Sequence, residues 1–410
     1  MRRDQATDHP ENAQFSGILA LMPQPAALRD FDPACVAMRI KRGPVNRGSR
    51  SSYVRSALPR PTQIHAIWRA LPKRMPRTHL KEDAMTIRVA AIEVSHWHAL
   101  NDAAYLRHLV AMPDVELIAI QDFDASLVAR RAAEVGSPPT FTDYRQMLAT
   151  TRPDFIVALG RHRQMAGIAH DLLDQGYPFL MEKPMGINAS EVEAVAAKAG
   201  RLNGFVAVPL AQRYAPFAMR ARELLAAGRF GPLSHIYVRI NRPGPARYPA
   251  WDCAWMLDPA EAGGGCLRNL GPHGFDMFLH LTGEEAQVTG AQLSRRAHER
   301  PVEDYASVML RSASGILGTV EVGNGFPRDG TDGEWKIAGR DAILTMKDGI
   351  VKLATAEGDE TLPGAGVSAP YFAALRDALD HWRRGAAPPI SVHDLRPVVR
   401  LIDQAYERAG

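Results

Sequence analysis

Short apolar runs alternate with helical patterns over residues 85–210. The apolar runs lie at 87–92, 115–121, 154–160, 177–181 and 204–210. The segments between them carry apolar residues at helical spacing, and several end at a glycine such as Gly136, Gly176 or Gly200. Strands and helices that alternate at this length predict a parallel, doubly wound sheet and an α/β fold.

After a predicted helix at 215–227, the pattern changes to longer runs in which apolar and polar residues alternate. These runs lie at 233–240, 284–294, 305–312, 315–323, 335–339 and 342–355. Because neighbouring runs are joined by Gly or Asp turns, they predict an open, mostly antiparallel sheet. Helices are predicted at 267–281, 371–384 and 394–408. The change of pattern therefore predicts two domains, at 85–210 and 211–410.

Residues 1–84 show no sustained period, and prolines interrupt every candidate element. They carry 15 Lys and Arg against 7 Asp and Glu, a balance of +8, whereas the rest of the chain balances at −4. This segment is predicted to be a disordered leader. We expect natural translation to start at Met85, because residues 81–83 can be encoded by a purine-rich tract resembling a bacterial ribosome-binding site. A transit peptide and a disordered basic tail are the alternatives.

The charge distribution and the cysteines exclude several classes of function. The net charge of +4 comes from residues 1–84 and gives no reason to expect a nucleic-acid partner. Three cysteines form no CxxC pair, so neither a structural zinc site nor a disulfide framework is indicated. No apolar run approaches the roughly 18 residues of a membrane-spanning helix. We expect a cytoplasmic protein with no membrane partner.

The stretch AIEVSHWHAL, residues 91–100, lies between the first strand and the next helical pattern. A glycine-rich dinucleotide loop commonly occupies that place. Aligned with G-x-G-x-x-G, its three glycine positions hold Glu93, Ser95 and His98. Their side chains keep phosphates further from the backbone than glycines do, although the polar groups of this loop can donate hydrogen bonds to phosphate oxygens.

Two further segments carry candidate chemistry: FLMEKPMG at 179–186 and AGGGCLRNLGPHGFDMFLHLTG at 262–283. Lys183 follows a buried strand directly, and functional groups of open α/β sheets gather at the carboxyl ends of strands. Asn269 and His273 are four residues apart and therefore share a helix face.

Together with the loop, these segments resemble the Gfo/Idh/MocA oxidoreductase family. The resemblance implies an N-terminal Rossmann domain, an α/β domain with an open sheet, and NAD(P)-dependent chemistry on sugars or cyclitols. It also implies that Lys183 is the catalytic lysine and His273 the catalytic histidine. Asn269, which stands where many members have aspartate, is assigned to the same catalytic set.

The remaining site predictions follow from this resemblance and from position along the strands. The cofactor contacts are predicted to be Ser95, His96, Trp97, His98, Asp122, Gly160, Arg161, His162, Glu182 and Lys183. Asp122 ends the second strand, where a carboxylate binds the adenosine ribose and repels a 2′-phosphate, so NAD is predicted over NADP. A capping role in its turn is the alternative. The substrate contacts are predicted to be Arg213, Tyr214, Tyr248 and Trp251.

Two functions remain open from the sequence. The first is an NAD(P)-dependent oxidoreductase that acts on a sugar, an inositol or a related polyhydroxy compound and forms a homo-oligomer. The second is a sensor or regulatory binding protein that uses the cofactor fold without turnover, which the glycine-free loop and Asn269 favour. No metal is predicted, because His96, His98 and His162 lack a completing set of carboxylates or thiolates.

Overall fold

The structure is a computed structural model that describes residues 86–410. The predictions for residues 1–84 and for a start at Met85 lie outside the described residues. Within 86–410 the chain forms two sheets with helices packed against them, which confirms the predicted α/β fold with a parallel and a mostly antiparallel sheet.

The first sheet has six parallel strands in the order β3-β2-β1-β4-β5-β6. Its strands are β1 (Ile87–Ile92), β2 (Val115–Gln121), β3 (Thr140–Phe141), β4 (Phe155–Ala158), β5 (Phe179–Met181) and β6 (Val206–Ala207). Its helices are α1 (Tyr105–Ala111), α2 (Ala125–Ala133), α3 (Tyr144–Thr151), α4 (His162–Asp174) and α5 (Ala189–Leu202). The strand order reverses between β1 and β4, which creates a crevice outside their carboxyl ends.

The second sheet has eight strands in the order β14-β13-β12-β11-β7-β10-β9-β8. They are β7 (Leu233–Pro243), β8 (Ala286–Ser294), β9 (Tyr305–Ser312), β10 (Leu317–Phe326), β11 (Asp332–Gly339), β12 (Ala342–Lys347), β13 (Ile350–Thr355) and β14 (Gly358–Pro363). Only β7 and β10 pair in parallel; the other neighbours are antiparallel.

Six further helices follow the first sheet in the chain. They are α6 (Pro216–Ala226), α7 (Arg247–Ala250), α8 (Pro259–Ala262), α9 (Cys266–Thr282), α10 (Ser368–Arg383) and α11 (Val392–Ala409). Single 3-10 turns lie at Trp97–Ala99, Ala211–Tyr214 and Ala254–Leu257. Helix α9 packs against the second sheet at close range, because a Cβ on Gly274 would lie 2.5 Å from Val320 of β10.

Local sequence explains most element boundaries, and some elements differ from the prediction. Asp124, Asp143 and Asn188 cap α2, α3 and α5 through their side-chain oxygens. The run predicted as one strand at 342–355 is a hairpin, because Asp348 and Gly349 both adopt positive φ and turn the chain. The short strands β3 and β14 were not predicted, since neither carries a clear alternating pattern.

The buried apolar residues connect the two sheets. Helix α10 lies late in the chain, yet its Leu375 and Leu379 belong to the same cluster as Val89 and Val157 of the first sheet. The domain boundaries at 85–210 and 211–410 stay a prediction. No helix in the described part of the chain is long and apolar enough to cross a membrane.

Candidate active site

Lys183 is the centre of the candidate site. It lies just after β5, where its side chain is buried with 1% exposure. Its Nζ donates to two oxygens of Asn269 on α9, the backbone oxygen at 2.7 Å and Oδ1 at 2.8 Å. The Asn269 amide also donates to the Tyr248 hydroxyl at 3.0 Å. Asn269 therefore fixes the amine of Lys183.

His273 lies one helical turn beyond Asn269 on the same buried helix. Its Nε2 is 3.5 Å from the hydroxyl of Tyr371 on α10, and its Nδ1 has no hydrogen-bond partner among the described residues. Asn269 does not orient the His273 ring in this arrangement, because both of its polar side-chain atoms are engaged elsewhere.

Lys183, Asn269 and His273 line a cavity of about 310 Å³ between α9, the first sheet and the strands β7 and β11. Trp97 and His98 from the loop after β1 and Tyr371 from α10 complete the wall around the amine. This volume suits a small molecule of monosaccharide size better than an extended one.

The protonation states of Lys183 and His273 differ. Burial lowers the pKa of Lys183 to about 8, and the negative charges of Glu182 and Asp102 oppose this decrease. Burial, with the adjacent Lys183 charge, also holds the pKa of His273 well below its usual range. Near neutral pH the site thus combines a charged amine with a neutral imidazole, which is a donor beside a base.

Glu182 supplies a fixed negative charge behind Lys183. Its Oε1 accepts from the Tyr105 hydroxyl at 2.6 Å and lies 2.9 Å from His98 Nδ1. Burial opposes its ionisation, but the neighbouring His98, Lys183 and His96 hold the pKa of the carboxyl well below its usual range. This carboxylate is wholly buried, so it acts on the site through its charge and through the position of His98.

Several backbone N–H groups of the loop at 93–104 are already bonded to protein, within the loop or at the end of β2. Glu93 takes the positive φ of 57° that the first glycine position requires. Its N–H donates to Gln121 Oε1 at 3.3 Å, the N–H of Ser95 donates to Asp122 Oδ2 at 2.7 Å, and the N–H of His98 donates to His96 Nδ1 at 3.2 Å. Helix α1 begins only at Tyr105, so its N-terminus lies twelve residues beyond the start of this loop.

Residues 251–262, here called the crossing segment, lie across the crevice between β1 and β4. On one side the Cys253 thiol donates to the backbone oxygen of Ser95 at 3.1 Å. On the other side His162 Nδ1 is 2.8 Å from the backbone oxygen of Ala262. The Trp255 ring lies between the His162 ring and the His96 ring, with centroid distances of 5.0 Å and 6.1 Å.

The crevice is therefore filled by protein. Asp122 and His162 have no exposed surface, and Ser95 and His96 are exposed by 5% and 1%. Burial lowers the pKa of His162 to about 3, and burial followed by the nearby Asp122 charge raises the pKa of Glu93 to about 7. The crevice consequently holds neutral histidines and two carboxyl groups.

The four residues predicted to contact the substrate divide into two groups. Tyr248 contacts Asn269 and Trp251 lies in the crossing segment, so both adjoin the site without lining the cavity. Arg213 instead forms ion pairs with Asp276 at 2.6 Å and with Asp394 at 3.0 Å, and the Tyr214 hydroxyl donates to Asp377. These contacts hold helices together and leave neither side chain in the cavity lining.

Gly160 and Arg161 lie where the sequence places them, directly after β4. Gly160 is buried with a φ of 88°, and the Arg161 guanidinium stacks over the Phe123 ring at 4.5 Å. The carboxylate of Asp122 accepts from the backbone N–H groups of Ser95 and Asp124, so it binds its own turn and loop.

Most lining residues were not anticipated, among them Asp102, Arg242, Arg247 and Tyr371. Arg242 pairs with Asp102 at 2.9 Å, and Arg247 donates to the Tyr248 hydroxyl at 2.9 Å. Arg247 could have been proposed from the sequence, because it directly precedes Tyr248, which was predicted to contact the substrate. Tyr371 could not, because it lies 98 residues from His273 in the chain. No group of three His, Cys, Asp or Glu side chains in residues 86–410 is placed to hold a metal ion.

Sequence comparison places these features in a known family. Residues 92–209 match the oxidoreductase family with an NAD-binding Rossmann fold, and residues 218–345 match the GFO/IDH/MocA C-terminal domain. The chain belongs to the Gfo/Idh/MocA family of oxidoreductases. This confirms the resemblance carried by the EKP and GPHGFD segments.

Individual Gfo/Idh/MocA relatives are distant. Trans-1,2-dihydrobenzene-1,2-diol dehydrogenase of Bos taurus is 27% identical over 53% of this chain and 63% of its own length, so the match spans less than two thirds of that protein. The scyllo-inositol 2-dehydrogenase (NADP(+)) of Bacillus subtilis is 25% identical over 70% of this chain and 82% of its own length.

Among solved structures, an oxidoreductase from Agrobacterium radiobacter in complex with NAD+, L-tartaric acid and magnesium has a TM-score of 0.70 and 16% identity. The match covers 79% of this chain and 96% of that one. At this identity the match shows that the two chains share a fold and nothing further.

The dinucleotide of the Gfo/Idh/MocA family does not fit the crevice in the arrangement described. A pyrophosphate needs free backbone donors beside the turn, and those of Glu93, Ser95 and His98 are already bonded. The carboxyl groups of Glu93 and Asp122 would repel it when ionised. The crossing segment also occupies the space outside β1 and β4.

Proposed function

We propose that the chain is an NAD(P)-dependent oxidoreductase that acts on a CH–OH group of a small polyhydroxylated molecule, such as a sugar or an inositol. The observation that carries this proposal is the pairing of a charged Lys183 with a neutral His273 in one partly closed cavity. The scyllo-inositol dehydrogenase among the relatives supports the class of substrate.

Residues of this chain carry out the proton transfer in the proposed reaction. The charged Lys183 amine donates a hydrogen bond to the substrate oxygen and stabilises negative charge on it, while the neutral His273 imidazole takes the hydroxyl proton. Asn269 holds the Lys183 amine in place through two hydrogen bonds. Reduction of a carbonyl reverses these proton movements.

The charge of the lining favours substrates that carry an acidic group. Arg242 is neutralised by Asp102 and Arg239 by Asp332. The other charged lining residues form no ion pair in the described part of the chain; they are the cations Lys183, Arg247 and Lys347 and the carboxylate Asp348. This excess of cations attracts an anion into a partly closed cavity. We therefore propose that polyhydroxy acids bind more tightly than the corresponding neutral polyols.

We further propose NAD over NADP. The Asp122 carboxylate directly follows β2, where it accepts from the backbone of its own loop and turn, and its negative charge there would repel a 2′-phosphate. The relative from Bacillus subtilis bears an NADP name, so this preference needs direct measurement. A homo-oligomer, a cytoplasmic location and the absence of a nucleic-acid partner stay part of the proposal.

The test is a scan of absorbance at 340 nm with NAD or NADP against sugars, inositols and their acids. We expect turnover with at least one compound, a lower KM for the acid of each pair, and a preference for NAD. Lys183→Ala should lower kcat by at least about 100-fold. The matched control is Lys198→Ala, because Lys198 lies on α5 and pairs with Asp174 away from the cavity. Near wild-type turnover in a folded Lys183→Ala protein would remove the mechanism.

A second candidate function is a sensor that binds the polyhydroxylated ligand without turnover. The filled crevice between β1 and β4 is the observation that favours it. Binding of a panel compound, measured by calorimetry, without any turnover in either cofactor would support the sensor over the enzyme.

A further inference from the structure

The crossing segment lies where an open α/β sheet normally binds its nucleotide. Ligands of such sheets bind outside the carboxyl ends of the strands, at the point where the strand order reverses. Here that point lies between β1 and β4, and the segment contacts the residues after both strands, Ser95 after β1 and His162 after β4. The chain's own residues thus fill the crevice that defines the family's cofactor fold.

Few polar contacts attach the crossing segment to the first sheet. Besides the Cys253 thiol and the Ala262 carbonyl, its contacts are at the rim of the crevice. Asp252 lies 3.3 Å from Arg131 and 3.5 Å from Arg130 on α2, Arg131 donates to the Trp251 carbonyl at 3.5 Å, and Arg163 donates to the Ala260 carbonyl at 3.3 Å. The pair of Asp252 with the exposed Arg130 contributes little, because exposed ion pairs are weak. Most of the attachment therefore comes from apolar packing, in which the buried residues of the segment are Cys253, Trp255, Met256 and Ala262.

The seated segment also leaves buried polar atoms without partners. These atoms, which have no hydrogen-bond partner among residues 86–410, are Glu93 Oε2, His96 Nε2, His162 Nε2 and Trp255 Nε1. A buried polar group that lacks a hydrogen bond destabilises the arrangement that buries it. Two of them, His96 Nε2 and His162 Nε2, belong to side chains on opposite sides of the crevice. These unsatisfied groups disfavour the position of the segment in the crevice. Displacement of the segment would expose them to water or to a ligand.

Residues with positive φ lie near both ends of the crossing segment. Asp252 near its start has φ 62°, and Gly263 and Gly264 directly after it have φ 70° and 143°. Motions of loops are commonly absorbed by a few such positions at the ends of the moving part. The segment between them contains only one short 3-10 turn and one turn of helix.

We propose that the crossing segment and a dinucleotide compete for the same crevice, so that NAD(H) binds only when residues 251–262 are displaced. This inference rests on the proposed NAD-dependent function. Displacement removes Trp255 from between His96 and His162. It also separates Cys253 from Ser95, which frees the loop after β1 to rearrange.

The experiment compares NADH affinity, by isothermal titration calorimetry of the full chain, in the wild type and in variants with a loosened segment. Trp255→Ala removes the packing, and Asp252→Lys replaces an attraction to Arg130 and Arg131 with a repulsion. Neither residue lines the cavity at Lys183 and His273, although the Trp255 ring lies 6.3 Å from the ring of Trp97, which does. The matched control is Trp382→Ala, because Trp382 of α10 packs on Phe155 at the start of β4, away from the segment.

We expect both loosened variants to bind NADH at least about tenfold more tightly than the wild type, and the control to bind as the wild type does. In hydrogen-exchange measurements, we expect NADH to increase the exchange of residues 251–262 in every protein that binds it. Circular dichroism and thermal melting establish that each variant is folded, and either loosened variant suffices if the other does not fold.

The alternative results separate this inference from the proposed function. If the wild type binds NADH and the variants bind no more tightly, with exchange of 251–262 unchanged, competition is wrong and the NAD-dependent function stands. If no folded protein binds NADH, both the competition and the NAD-dependent function are wrong.

Discussion

The buried surroundings of Lys183 disfavour its positive charge. We therefore expect kcat to depend on pH. Burial lowers its pKa to about 8, against an ordinary value of 10.5. Because the charged amine is the form that donates to the substrate oxygen, we expect kcat to fall as the pH rises through about 8. Asn269→Asp would place a carboxylate beside the amine, favour the charged form, and move this fall upward by about one pH unit.

The control for this measurement is Asn203→Asp, since Asn203 is an exposed residue at the end of α5. It should leave the pH profile unchanged. A pH profile in Asn269→Asp that coincides with the wild type would show that Lys183 does not produce the alkaline fall.

Glu93 makes the stability of the loop depend on pH in the opposite direction to most carboxylates. Burial, then the Asp122 charge, raises its pKa to about 7, from an ordinary value of 4.5. A raised pKa in the folded state gives stability that is full below pH 4.5 and is lost as the pH rises through about 7. Glu93→Gln removes this loss, so we expect it to raise the free energy of unfolding at pH 8 by up to about 3 kcal/mol.

Urea denaturation at pH 5 and pH 8 measures this difference. At pH 5 the difference between the Glu93→Gln and wild-type free energies of unfolding should be about a quarter of the difference at pH 8. The control is Glu116→Gln on the exposed side of β2. Equal stabilisation at both pH values would mean that the carboxyl group of Glu93 is not responsible.

At the scale of elements, Arg213 connects three parts of the chain. It lies in the 3-10 turn Ala211–Tyr214 and pairs with Asp276 of α9 and Asp394 of α11. Arg213→Met leaves Asp276, which is 1% exposed, buried without its cation. We expect the free energy of unfolding to fall by about 3–5 kcal/mol, with the KM of the folded protein unchanged.

The double variant Arg213→Met with Asp276→Asn should recover part of this loss, because the buried charge is then absent. Urea denaturation and KM measurements on the same samples test both statements. A raised KM with unchanged stability would instead support the interpretation from sequence, in which Arg213 binds substrate.

At the scale of the whole molecule, the face of the second sheet that points away from α9 carries exposed apolar side chains. Met309 on β9 is 55% exposed and Ile343 on β12 is 41% exposed. Apolar surface on a sheet face is commonly covered by association. We expect a homo-oligomer in light scattering, and we expect Met309→Lys with Ile343→Lys to shift it toward the monomer. Val110→Lys on α1, where Val110 is 48% exposed, is the control and should leave the mass unchanged.

The sequence by itself determined the order of strands and helices and therefore the class of fold. Period 2 and period 3.6 are local properties of the chain, so they identified β1, β2, β9 and α9 to within a few residues. The EKP and GPHGFD segments likewise determined the family, because motif spacing is preserved in the sequence. Lys183 and Asn269 were assigned to one site on those motifs, and the structure places them 2.8 Å apart.

Only the tertiary structure decided which partners these residues have. The Asn269 side chain binds Lys183 and Tyr248 and leaves His273 to Tyr371, a pairing that depends on how α9 and α10 pack. The crossing segment has no strong period, yet it lies against residues about 100 to 160 positions earlier in the chain. Contacts at such separation depend on the packing of the whole fold, and no local pattern in 251–262 encodes them. The sequence therefore determined the cofactor fold, while the tertiary structure decided that its crevice is filled.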